Sequence, residues 1–592
     1  MQNYIFFLLK YYEKYFVYKI LICYTLVLFL LKKRIFAKII SSNFHKNKKM
    51  KHINLFSALF CLFSLQTKAQ VQLKTSQLPI LVVDTKSANI VENTKIIASI
   101  KVFDKKNQGL NDITETPTYE SAIGIEYRGA TSFFLSDKKP YNIELRDIDG
   151  VTQKSEAFVG LPDGSDWAIL APYTDKTMIR EAFMYRMAQQ MMPWAPHYRF
   201  VELVVNQKYL GVFMVCEKMQ RDKNRINVSK MGSKDVAGDS LTGGYIFSLD
   251  KLKQGDAFFN SNYFFPTSSR KPEYIINYPR ADKIQVAQKQ YITNWMHNFE
   301  DVMMGKNYKD TLNGYAKYID LASFVDFVLL TELSRNVDGY RLSTYFAKDK
   351  DSKNPKMRIA SVWDYNIGMG NVNYCLGEGW QGWAYEFNNA CPDDYWVISQ
   401  WWLNLVGEQR FKSAMKKRWK TLRKTTLSDA NVNATLDTLT KTIGTDAINR
   451  NFQQYPILNK LVWPNPAVYK TYDGEFKQLN TWLNQRCKWM DGQIEKFDKV
   501  EVTTIENPAE SKVFPNPAQD KIFIEYFSLR PFASVNICVY DVLGHEILQK
   551  NISKFTSGKQ TLEIDLSNFS NGVYIYTLNV NGFKSKGKFV KS

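Results

Sequence analysis

The sequence predicts an α+β fold: a β-rich half, a mostly helical half after it, and a small C-terminal β-sandwich. Three observations carry that expectation. Apolar and polar residues alternate with a period of two over residues 71–115, and strand-like runs continue as far as Cys216. From about residue 280 the apolar spacing becomes helical. Beyond residue 513 short alternating segments return, separated by Gly and Asn turns. With 45% apolar and 14% aromatic residues among 592, the chain has room for several domains and a sizeable core.

In chain order, Leu78-Pro-Ile-Leu-Val-Val83 and Ile96-Ile-Ala-Ser-Ile-Lys-Val-Phe103 read as strands of an N-terminal β element spanning 70–115. The main domain is expected at 116–500. It opens with the strand Ile123-Gly-Ile-Glu-Tyr-Arg128, the turn Gly129-Ala-Thr-Ser132 and the strand starting at Lys139. A helix follows, which Thr174 or Asp175 can cap, with Ile179, Phe183 and Met187 on one face and Pro193 at its end. The runs 200–205 and 209–216 form a hairpin around Asn206-Gln-Lys208. Helices are expected over Gln285–Met304, Leu321–Leu333 and the Trp- and Lys-rich stretch 396–425. A polar linker at 501–512 leads to the module 513–592.

The formal charge of +20 raises the question of a nucleic-acid or membrane partner, and its placement argues against the first. Residues 1–69 hold twelve Lys or Arg against one acidic residue, and the remainder shows no basic stripe with interleaved aromatics. Met50–Ala69 has the basic start, apolar run and small-residue end of a signal peptide. Upstream, Phe16–Leu31 reads either as a short membrane segment or, preferably, as part of an over-extended N-terminus (1–49) ahead of a true start at Met50. No stable membrane span is expected in the mature chain. Export bears on Cys375 and Cys391, which share one Gly/Trp/Asn-rich loop: an oxidising compartment would let them bridge, worth about 3 kcal/mol, with two unpaired thiols as the alternative.

Two aspartates stand out chemically. Asp338 lies in Asn336-Val-Asp-Gly-Tyr-Arg-Leu-Ser343 and Asp364 in Val362-Trp-Asp-Tyr-Asn-Ile-Gly368, with strand-and-turn sequence between them. Phosphoryl transfer needs such a pair, one carboxylate to orient the attacking hydroxyl and one to hold the metal that bridges the nucleotide phosphates. Hydrolase chemistry is poorly supported: there is no GxSxG or HExxH, and His197 and His297 have no nucleophile partner in motif.

Five segments make a family resemblance specific. Arg128-Gly-Ala-Thr-Ser132, Lys138-Lys-Pro-Tyr-Asn-Ile-Glu144, Leu161-Pro-Asp-Gly-Ser-Asp-Trp167 with Tyr173-Thr-Asp-Lys176 and Arg180, Glu217-Lys-Met-Gln-Arg-Asp-Lys-Asn-Arg225, and Val362-Trp-Asp-Tyr365 follow one another as in the spore-coat protein H (CotH) kinase-like family. From about 78 to 425 the chain resembles its secreted Bacteroidetes branch. The resemblance implies an atypical, protein-kinase-like, two-lobed domain, with a β-rich N-lobe and a helical C-lobe, binding ATP and Mg²⁺ or Mn²⁺. Its expected substrate is Ser or Thr of a surface or secreted protein, or of itself.

On that footing Asp338 resembles the catalytic aspartate and Asp364 the metal-binding one. Arg128, Gly129 and Ser132 would approach the phosphates, as would Lys139, with Lys138 equally open by sequence. Glu181 would pair with that lysine, and Glu217 and Lys218 would lie near the adenine. Ser343 stands where the kinase spacing calls for a metal-binding asparagine, and Asn366 where spore-coat members often carry a second acid. Both substitutions weaken the expected metal set, so the alternative is a catalytically impaired pseudokinase that serves as a surface binding protein.

At the other end, Val513-Phe-Pro-Asn-Pro-Ala518, Cys538-Val-Tyr-Asp-Val-Leu-Gly-His545, the run 566–578 and Lys588-Phe-Val-Lys-Ser592 resemble the type A C-terminal sorting domain of the type IX secretion system. That resemblance implies a translocon as partner, export through the periplasm, and release or attachment at the outer-membrane cell surface.

Overall fold

In the computed structural model, which describes residues 71–592 apart from 107, 130, 267, 499–510, 529–532, 555–557 and 581–582, seven strands close into a barrel. The expected signal peptide, the segment before it and most of the 501–512 linker lie outside the described residues. Around the barrel the strands run Tyr198–Val205, Lys208–Glu217, Asp166–Leu170, Tyr141–Arg146, Tyr119–Tyr127, Ile96–Phe103 and Ile80–Asp84. The closing pair is parallel, with Glu202 opposite Ile80 and Val205 opposite Val83. Two barrel strands thus come from the segment expected to form a separate β element.

Period-two patterning fills the barrel: Val83, Ile100, Ile125, Ile143, Trp167, Val201 and Phe213 point into one core. Lys208–Glu217 is buried on both faces, because Val212, Met214 and Cys216 join a second core that includes the helix Arg180–Gln189. This explains the nearly unbroken apolar run from Tyr209 to Cys216. The helix itself is buried except at Arg186 and Gln189, and each fully buried large apolar side chain on it contributes about 1.5–3 kcal/mol. Neither Thr174 nor Asp175 is its N-cap, a position Ile179 takes without a side-chain cap bond; the Asp175 carboxylate instead reaches the first turn, accepting the Arg180 N–H at 2.8 Å and pairing with the guanidinium at 2.6 Å.

A five-stranded sheet, ordered Phe258–Asn260, Glu273–Tyr278, Tyr245–Leu249, Thr344–Lys348, Met357–Ser361, draws its last two strands from the half expected to be mostly helical. The helices Val286–Met304 and Leu321–Ser334 appear where predicted, while the 396–425 stretch divides into Gln400–Gly407 and Gln409–Leu422. Thr445–Gln454 packs back on the barrel, with Asn451 Oδ1 accepting the Val212 N–H at 3.1 Å. Cys375 and Cys391 are bridged, with Cα atoms 5.5 Å apart.

Residues 511–592 form a three-stranded sheet (Ser511–Phe514, Lys521–Ser528, Gly558–Asp565) and a four-stranded one (Glu546–Lys554, Ala533–Tyr540, Gly572–Val580, Phe583–Lys591). Ile522, Ile524, Val535, Ile537 and Tyr576, drawn from both sheets, share one core. Among the described residues no helix is long and apolar enough to cross a membrane.

Candidate active site

Asp338 and Asp364 are brought together by the ends of two neighbouring strands. The helix Leu321–Ser334 stops at Arg335, which takes a left-handed φ of +47°, and the chain loops through Asp338 into the strand Thr344–Lys348. That strand pairs with Met357–Ser361, and three residues later comes Asp364. Gly339 is required by space: a Cβ there would run into the Thr331 side chain of the helix. Asp338 Oδ1 accepts from Arg341 Nη2 at 2.8 Å.

Asp364 itself adopts φ +65°, a region that non-glycine residues enter at a cost of order 1–3 kcal/mol unless the surroundings hold them there. The holding groups are visible. Glu181 Oε1 accepts the Asp364 N–H at 3.0 Å, and the Asp364 carbonyl accepts from Asn336 Nδ2 at 3.2 Å. The Asp364 carboxylate is open to water, yet it stands deep among protein atoms. That crowding, reinforced by Asp338, pushes its pKa above the ordinary carboxylate range, against the pull of Arg128 and Lys251. Glu181 is shifted in the same direction, by burial and by Asp364.

Arg128 belongs to this constellation. Its guanidinium lies 5.5 Å over the Trp363 ring, and Trp363 in turn stacks on Tyr185 of the buried helix. Gly129 takes φ +94°, a left-handed conformation that favours glycine. Ser132 is exposed in the short helix Thr131–Leu135.

The two lysines of the Lys138-Lys139 pair are engaged elsewhere. Lys138 is fully buried: its ammonium donates to the Val212 carbonyl and, at 2.8 Å, to Asn451 Oδ1, and desolvation drives its pKa well down. Lys139 donates to the Phe133 carbonyl and sits 4.8 Å over the Phe133 ring. Glu181 therefore pairs with backbone amides instead of the lysine expected for it. Lys218, by contrast, keeps part of its side chain accessible near Arg128. It lies 3.8 Å from Asp166, which Lys95 also holds at 3.0 Å. Glu217 is wholly buried: its Oε2 accepts from Trp194 Nε1 at 3.2 Å and from the His197 N–H at 2.9 Å, while Oε1 has no hydrogen-bond partner among the described residues and lies 3.6 Å from Arg225 Nε.

One acid at the site was not singled out from sequence. Asp250 lies just past the Leu249↔Thr344 pair, beside Ser343, and burial together with Asp364 and Asp338 raises its pKa to about 6. It lies outside every quoted motif, and only strand register brings it here.

Which of these groups suit a divalent cation follows from their chemistry. The Asp364 carboxylate, the Asn366 amide and the Ser343 hydroxyl are hard oxygen donors with no side-chain hydrogen-bond partner among the described residues. Among those residues no three His, Cys, Asp or Glu side chains lie close enough to hold a metal ion by themselves. This fits Mg²⁺, which is commonly held by one or two carboxylates plus substrate phosphates and water. A cavity of about 270 Å³, lined by Arg335, Val337, Leu376, Trp383, Glu386 and Phe387, lies behind the Asp338 loop and not at the carboxylate pair.

Comparison with known families matches two parts of the chain. Residues 512–592 match the secretion-system C-terminal sorting domain, which indicates export to the cell surface or release and engagement of the type IX secretion system. A search of curated proteins finds no match. Residues 125–490 match the CotH kinase protein family, a span that takes in the end of the strand Tyr119–Tyr127, the four barrel strands after it, the five-stranded sheet and both aspartates. That match covers more than half of the chain, and the protein belongs to the CotH kinase family.

Proposed function

We propose that this exported protein is an atypical kinase that transfers the γ-phosphate of ATP to Ser or Thr of a surface or secreted protein, or of itself. The observation that carries the reading is the joining of the Asp338 and Asp364 loops by the Asn336–Asp364 bond, with Arg128 over Trp363 and Asp364 held at φ +65° by Glu181. In this reading Asp338 orients the acceptor hydroxyl and takes its proton as the oxygen attacks phosphorus. Arg128 and Lys218 bind the phosphates and offset charge that builds on them. Asp364, with Asn366 and Ser343, would hold Mg²⁺ or Mn²⁺, which when bound screens the phosphate charge and fixes its orientation. Lys139 and Glu217 have no direct part, because the Lys139 ammonium is already bonded and the Glu217 carboxylate is wholly buried between His197 and Arg225.

The test is transfer of labelled phosphate from ATP by the purified exported chain with Mg²⁺ or Mn²⁺. Wild type is expected to transfer and Asp364→Ala to lose transfer. Well-folded protein showing neither transfer nor metal-dependent nucleotide binding would sink the kinase reading.

Ser343 and Asn366, standing where the kinase pattern calls for an asparagine and a second acid, favour a second reading, a pseudokinase that keeps the fold for surface binding. Nucleotide binding without any transfer, in wild type and under both metals, would select it.

A further inference from the structure

We propose that Arg341 is a positioning residue for Asp338, through which the segment following the Cys375–Cys391 bridge sets the orientation of that carboxylate. The inference rests on the kinase reading for Asp338's task and goes beyond it in naming what aims the side chain.

Arg341 is buried, and its donors go to four partners. Nε donates to the Val337 carbonyl at 2.7 Å, Nη1 to Asp394 Oδ1 at 3.1 Å and to the Trp396 carbonyl at 2.8 Å, and Nη2 to Asp338 Oδ1 at 2.8 Å. The guanidinium lies 3.9 Å from the Phe387 ring centroid, so its plane is fixed as well as its hydrogen bonds. Asp394 is in turn fixed by the Trp396 N–H at 2.8 Å. One cation therefore bridges two carboxylates, one in the candidate catalytic loop and one three residues past Cys391.

One consequence follows for Asp338. Its Oδ1 is taken, which leaves Oδ2 as the oxygen free to receive a hydroxyl proton. A lysine at position 341 could supply the charge but not the planar fork that reaches both strands of the bridge.

The experiment uses the exported chain with Arg341→Lys and, as a variant with a half-exposed target, Asp394→Ala. Two quantities are read: kcat against KM for ATP, and hydrogen exchange of the 336–343 amides by mass spectrometry. Support is a kcat at least tenfold lower in Arg341→Lys with KM for ATP within about twofold, and faster exchange over 336–343 in both variants with the barrel unchanged. Unchanged exchange over 336–343 overturns the proposal, whether or not the wild type transfers phosphate. Equal kcat in a transferring wild type and in Arg341→Lys overturns it too, while leaving the kinase reading intact. A wild type without transfer removes that reading, and the exchange data still decide whether Arg341 and Asp394 hold the Asp338 loop.

Discussion

Glu181 grips the main chain at Asp364: its two carboxylate oxygens accept the Asp364 N–H at 3.0 Å and the Tyr365 N–H at 2.5 Å. A buried helix thereby fixes a residue whose backbone would otherwise leave the left-handed region. Replacing Glu181 by Ala orphans two amides, one of them buried, and is expected to cost roughly 1–3 kcal/mol. It should also weaken metal-dependent nucleotide binding, because Asp364 loses its hold. Chemical denaturation and a nucleotide titration of the same variant check both; unchanged nucleotide affinity would show that the grip is structural only.

The lysines separate stability from binding. Lys138→Met leaves the Val212 carbonyl and Asn451 amide oxygen without their buried donor and should lower stability by roughly 1–3 kcal/mol while nucleotide affinity stays near wild type. Lys218→Met should do the reverse, with at least a fivefold loss of nucleotide affinity and a small stability change. The opposite pattern in paired denaturation and binding curves would move the phosphate contact back to the Lys138-Lys139 pair.

Glu332 and Arg486 form an ion pair at 3.2 Å with neither side chain exposed. The same carboxylate accepts the Ala384 N–H at 2.6 Å, the Tyr385 N–H at 3.1 Å and the Tyr340 hydroxyl at 2.7 Å. Arg486→Met would strand a buried charge, and a loss of about 3–5 kcal/mol is expected in equilibrium unfolding. A loss under 1 kcal/mol would mean that the carboxylate needs no counter-ion.

A pH effect follows from His197, whose Nδ1 lies 2.7 Å from Glu217 Oε2. That bond raises the imidazole pKa above its ordinary 6.5, with burial opposing. The folded state therefore favours the protonated ring, so the stabilisation is complete below 6.5 and is lost as pH rises through the raised value. The denaturation midpoint should fall across that window more steeply in wild type than in His197→Asn. Parallel profiles would assign the pH dependence to other groups.

Local chemistry made much of this legible from residues alone. Asp338 beside Gly339 and Asp364 beside Trp363 could be singled out because turn glycines and apolar flanks are read over a few positions. The Cys375–Cys391 pair and the strand runs around Ile100 and Ile143 were open to the same kind of reading. The fates of the two neighbouring lysines were not. Lys139 is captured by the Phe133 carbonyl of the turn before it, and Lys138 by Asn451, more than three hundred residues away.

The sequence by itself therefore determined the family and the export module and singled out the two aspartates as candidates, since each rests on short runs whose spacing is its signature. Only the tertiary structure decided the barrel's closure through Glu202 and Ile80, the arrival of Asp250 beside Ser343, and the four bonds of Arg341. Those depend on strand register and on which carbonyls and carboxylates remain for a buried cation to satisfy, and neither quantity is encoded within one local window.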